Sequence, residues 1–115
     1  MNDKDEQENL RLISDALSEK KGEDIRILDI SALSVIADYF LIASGSNPTQ
    51  IQAMADNVEE KLKDKGKRPL SIEGYAGAAW ILMDYGNYVI HIFDRENREF
   101  YDLERIWKDA RPVTL

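Results

Sequence analysis

The chain has 115 residues and a formal net charge of −7, with 43% hydrophobic and 32% charged residues. This suits one domain of ordinary globular balance, and the acidic surplus argues against direct binding of a phosphate backbone, which needs a basic footprint. No apolar run approaches the ~20 residues that span a bilayer, and the absence of cysteine excludes disulfides and thiolate metal sites. The acidic start, residues 1–8, lacks the basic and apolar stretches of a signal peptide and the arginines of a transit peptide. Together these features predict a cytoplasmic protein with a single domain over residues 1–115.

Residues 3–21 read as a helix with Leu10, Ile13, Ala16 and Leu17 at helical spacing, stopped by Gly22. So narrow an apolar stripe predicts packing at the domain edge. Residues 25–30 and 38–44 read as strands, the second the most apolar and therefore central. Asn47 and Pro48 suit a helix cap and the first helical position. The helix they open runs to about Lys65, with an apolar face of Ile51, Met54, Ala55, Val58 and Leu62. The basic run over 61–68 complements its dipole and reads as a solvated face. Residues 69–73 read as another strand, with Pro69 at its start, where a missing donor matters least.

Gly86 and Asn87 mark a two-residue hairpin turn. This register opposes Tyr85 to Tyr88, Met83 to Ile90 and Ile81 to Ile92, an apolar face throughout. The other face sets Trp80, Leu82 and Asp84 beside Val89, His91 and Phe93. A tryptophan, a carboxylate and the chain's only histidine make an unusual mixture for a purely structural face. Residues 94–110 contain a C-terminal helix with Phe100, Leu103, Ile106 and Trp107 on one side. Pro112 ends it, and a loose tail follows. The order of elements predicts an α/β or α+β fold, a mixed β-sheet of about five strands flanked by helices.

The chemistry-bearing residues are few. One histidine and no cysteine leave only scattered carboxylates (Asp29, Asp38, Asp84) for a metal. The serines of residues 43–47 do not form a nucleophile elbow, and His91 is the sole candidate base. The loop from Ser44 to Thr49 offers backbone donors to an anion at a helix N-terminus, as nucleotidyltransferase loops do. The acidic pair that would hold magnesium a dozen residues later is missing, because residues 56–59 fall inside the helix. A tight turn with a helix cap accounts for the same residues. Trp107 sits on the apolar side of its helix and reads as core. Trp80 follows the small residues Gly74, Ala76, Gly77, Ala78 and Ala79, which leave it uncovered, so it reads as an interface anchor more than as core.

Six stretches then suggest a family: residues 38–45 (DYFLIASG), 50–56 (QIQAMAD), 73–74 (EG), 80–86 (WILMDYG), 91–93 (HIF) and 100–107 (FYDLERIW). In this order they resemble the ribosomal silencing factor family, also called RsfS or Iojap, from about residue 5 to residue 110. The resemblance implies a nucleotidyltransferase-like fold without the catalytic acids, no enzymatic activity and no cofactor. It further implies a translational repressor that binds the large ribosomal subunit through ribosomal protein L-fourteen, blocks small-subunit joining and limits translation under nutrient shortage. A vestigial nucleotide-binding enzyme is the alternative. The family's partner-binding tryptophan matches Trp80, and its hydrophobic residue after the strand aspartate matches Tyr85. The expected partner-binding set is Trp80, Leu82, Asp84, Tyr85 and His91, with Gly77 and Ala78. The hairpin register puts Tyr85 and Trp80 on opposite faces, so one partner reaches both only by gripping the hairpin from its edge. An exposed apolar face around Trp80 also predicts a weak homodimer of the free protein.

Overall fold

Strict alternation along one hairpin governs the sheet. The computed structural model describes residues 3–115; Met1 and Asn2, part of the acidic start read above, lie outside the described residues. In chain order the elements are α1 (Asp3–Glu19), β1 (Glu23–Asp29), β2 (Tyr39–Gly45), α2 (Pro48–Asp64) and β3 (Ser71–Glu73). After them come β4 (Trp80–Asp84), β5 (Tyr88–Asp94), α3 (Arg95–Tyr101), α4 (Leu103–Ile106) and β6 (Arg111–Pro112). The six strands form one mixed sheet in the order β3-β4-β5-β2-β1-β6. Strands β2 and β5 run parallel, joined through α2 and the β3–β4 hairpin, and the remaining pairs are antiparallel. The fold is therefore α+β, with helices packed against the sheet.

The β4–β5 register is the expected one, with Ile81 opposite Ile92 and Met83 opposite Ile90. The turn itself is tight. The Asn87 N–H donates to the Tyr85 carbonyl at 3.1 Å, closing a three-residue turn about Gly86. Gly86 has φ +84°, a conformation open to glycine and strained for other residues. Its N–H is held by the Asp84 carboxylate at 2.8 Å.

Side chains alternate across this sheet into two cores. The larger lies under α1 and α2 and takes Leu41, Ala43, Ile81, Met83, Ile90 and Ile92. The apolar face of α2 is buried as expected, and Asn47 caps the helix by accepting from the Gln50 N–H at 2.8 Å. The stripe of α1 is not peripheral. Leu10, Ile13, Ala16 and Leu17 are all buried, because α1 and α2 share the cover of this face. The buried Asn57 amide ties the two helices by donating to the Ala16 carbonyl at 2.8 Å.

The smaller core, with Leu28, Ile30, Ile42, Val89 and Phe93, lies on the opposite face. Here the C-terminal expectations need correction. The helix read across residues 94–110 is broken at Asp102, a left-handed residue with φ +48°. In an unbroken helix, positions 98 and 104 would lie about 120° apart around the axis. The break returns Glu104 to Arg98 at 3.1 Å, while Arg98 also donates to Ser44 Oγ at 2.9 Å. In consequence Phe100 and Ile106 are exposed, at 77% and 66%, and only Leu103 and Trp107 turn inward. The tail is not loose either. Arg111 and Pro112 pair with β1 as the sixth strand, and the Val113 N–H donates to the Ile27 carbonyl at 2.9 Å.

One backbone approach sets the entry to β4. Gly74 has φ +79°, and a Cβ there would strike the Trp80 carbonyl oxygen, whereas one at Gly77 would meet nothing within 4 Å. Gly74→Ala is expected to lower stability by roughly 2–4 kcal/mol and Gly77→Ala by less than about 0.5 kcal/mol. Denaturant unfolding of the two variants checks this, and equal losses would show that the close approach does not govern β4.

A candidate docking face around Trp80

The helical cover on the second face is too short to close it. From the end of β5, α3 packs over β5 and β2, Leu103 and Trp107 join the smaller core, and the chain continues into β6, leaving β3 and most of β4 thinly covered. Cross-strand neighbours share a face, so Leu82 lies between Glu73 of β3 and His91 of β5, and Asp84 lies beside Ser71. Trp80 and Leu82 are both half-buried. Beside them are the exposed Glu73, opposite Leu82 on β3, and the half-buried Asp84.

Trp80 is the centre of an aromatic group. Its ring centroid lies 4.9 Å from Phe93, its partner across the hairpin, and 4.6 Å from Tyr101 at the end of α3. Its indole N–H donates to His91 Nδ1 at 3.1 Å. His91 in turn meets the Phe40 ring edge-on at 4.7 Å, and Phe40 meets Trp107 edge-on at 5.2 Å. Phe100 packs edge-on against Tyr101 at 5.1 Å and extends the group outward. Phe40, Phe100 and Tyr101 are absent from the set read from the sequence. Phe40 reaches the group from β2, and Phe100 and Tyr101 close α3 just before Asp102, a break with no local signature beyond an aspartate that tolerates the left-handed region.

The seven expected residues do not gather into one contact surface. Trp80 and Leu82 present surface on the second face, and Gly77 is exposed in the loop before β4. Asp84 is half-buried and engaged by the turn. His91 is interior at 4% exposure and lies beneath the surface instead of forming it, whereas Ala78, at 1%, packs into the larger core. Tyr85 points to the other side of the sheet, against the larger core. Its hydroxyl is buried without a hydrogen-bond partner among the described residues, and burial, with Glu59 adding negative potential, pushes it up to about 12. Trp107, read as core, packs half-buried against the smaller core.

The loop from Ser44 to Thr49 has spent much of what it could offer an anion. The Ser46 N–H donates to Gln50 Oε1 at 2.6 Å and the Gln50 N–H to Asn47 Oδ1 at 2.8 Å. Ser44 is buried with its hydroxyl bonded to Arg98. Among the described residues no three histidine, aspartate or glutamate side chains gather into a metal-binding group, and no helix is long and apolar enough to cross a membrane.

A half-covered aromatic face beside carboxylates fits the docking of another macromolecule better than the turnover of a small one. The chain belongs to the ribosomal silencing factor family: the model described as "Ribosomal silencing factor during starvation" matches residues 3–115. It is 38% identical over 109 residues to ribosomal silencing factor RsfS of Halalkalibacterium halodurans, covering 95% of this chain and 93% of that protein. A crystal structure of a Chromobacterium violaceum protein superposes with a TM-score of 0.86 at 34% identity, over 93% of this chain and 89% of that one. A more distant mouse relative is named mitochondrial assembly of ribosomal large subunit protein 1. It is 28% identical over 86% of this chain and 45% of its own length. The family is one of translation regulators that silence ribosomes, and is not an enzyme family.

Burial pushes the His91 imidazole down to about 4 from its ordinary 6.5. The unfolded chain therefore takes up this proton near pH 6.5 and the folded chain only near pH 4. The contribution to stability is full above pH 6.5 and is lost as pH falls towards 4. Between pH 7 and pH 4 the parent is expected to lose roughly 3 kcal/mol relative to His91→Leu. Unfolding curves of the two proteins at both pH values measure this, and a pH-independent difference would contradict it.

Proposed function

We propose that this protein represses translation by occupying the large ribosomal subunit through the face around Trp80, so that the small subunit cannot join. Ribosomal protein L-fourteen is the proposed contact, and nutrient shortage the proposed occasion. The observation that carries the reading is the Trp80–Leu82 surface, apolar at its centre, with Glu73 and Asp84 beside it. Aromatic anchors supply much of the energy of such interfaces, and an acidic rim on a chain of charge −7 suits a basic ribosomal protein. The mouse relative, named for the large subunit, supports the choice of subunit. Nucleotide handling at the loop from Ser44 to Thr49 is the weaker reading, since its donors are already engaged.

The test is sedimentation of the protein with isolated large and small subunits, followed by their reassociation. Binding to large subunits alone and fewer whole ribosomes are expected; unchanged reassociation at saturating protein would sink the proposal. Trp80→Ala removes the anchor and is expected to weaken large-subunit binding by roughly thirtyfold. The same change opens contacts with Phe93 and Tyr101, so a stability loss of about 1–3 kcal/mol accompanies it. Higher salt weakens binding further if the rim takes part. The free protein is expected to form a weak dimer over the same face, and a concentration-independent monomer mass in analytical ultracentrifugation would rule that out.

A further inference from the structure

His91 presents a puzzle of packing. It is 4% exposed, between Phe40 and the Trp80–Phe93 group, and its Nε2 is buried with no hydrogen-bond partner among the described residues. Leucine or phenylalanine would fill an apolar site without leaving a polar atom unpaired. The only hydrogen bond the imidazole makes among the described residues is through Nδ1, which accepts the Trp80 indole N–H at 3.1 Å. An Nδ1 that accepts must be unprotonated, so the ring is neutral and carries its proton on the unpaired Nε2.

That arrangement matters because Trp80 is half-exposed. When a partner covers an exposed indole, its N–H leaves water and must find an acceptor or remain unsatisfied. We infer that His91 is a positioning residue for Trp80: it takes the indole N–H inside the protein, so that Trp80 meets its partner as an apolar ring in a fixed orientation. This deepens the proposed docking function and rests on it. The partner then needs an aliphatic or aromatic pocket with no hydrogen-bond acceptor for the indole. Phe93 and Tyr101 hold the ring by contact, and His91 fixes the direction in which its polar edge points. Holding the ring before encounter removes part of the ordering cost of association.

Two substitutions separate this role from simple packing. His91→Leu removes the acceptor, whereas His91→Asn can place an amide oxygen near the position of Nδ1. Hydrogen exchange of the Trp80 indole, followed by nitrogen NMR on the free protein, is expected to become about tenfold faster in His91→Leu and to slow again in His91→Asn. Binding to purified large ribosomal subunits is expected to weaken about fivefold in His91→Leu and to recover in His91→Asn. Trp80→Phe, which lacks the N–H but keeps a ring, should bind within about threefold of the parent. Indole exchange that stays slow in His91→Leu overturns the inference, whatever happens with ribosomes. So does a Trp80→Phe variant that binds as poorly as Trp80→Ala, since the partner would then be using the N–H. If the parent fails to bind the subunits while exchange responds as expected, the docking function fails and the internal bond stands.

Discussion

Strand β5 lies at the centre of the sheet, and its first six residues are all buried. A strand buried on both faces needs cover on both. One face receives two seventeen-residue helices, α1 and α2, whose combined stripes close it. The other receives only α3 and α4, of seven and four residues. The imbalance determines where the molecule is finished and where it is left open. The larger core is sealed, whereas the smaller core reaches the surface at Trp80 and Leu82. The candidate docking face is thus a region of the same sheet left with incomplete cover.

The legible parts were those with short-range causes. Alternation and the Gly86 turn set the β4–β5 register, and Asn47 and Pro48 announced α2 within two residues of its start. The mixed character of the Trp80 face also followed from alternation alone. What could not be read depends on partners far along the chain. The break at Asp102 is held by Arg98 reaching Ser44, 54 positions away, and β6 exists because β1 offers Arg111 and Pro112 an edge. Propensity treats residues 94–110 as a helical tract because no local residue forbids it. The same blind spot hid Tyr101 from the candidate site. Burial was harder to read than face: the inward position of His91 and the place of Ala78 in the larger core both depend on the packing of neighbouring elements.

Among the described residues, two buried polar side chains stand apart. Tyr85 and His91 each leave one atom unpaired, on opposite sides of the sheet. Such groups are uncommon in folded proteins and call for an explanation. For His91 the bond to Trp80 provides one, since the same ring that leaves Nε2 unsatisfied accepts an N–H that would otherwise face an incoming partner. Tyr85 has no comparable bond. Its ring packs on the larger core, and nothing in the structure explains its hydroxyl.

The two ends of the sheet are closed in different ways. At one end β3 is three residues long and follows soon after Pro69. At the other, the outermost strand is a two-residue clasp in which Pro112 has no N–H to donate. Neither border provides the long row of free donors and acceptors that recruits a strand from another molecule. Encounters between copies of this chain are thereby steered away from end-to-end growth of the sheet, which has no natural stopping point. What the sheet leaves open to other molecules is a face of side chains, not a row of backbone groups.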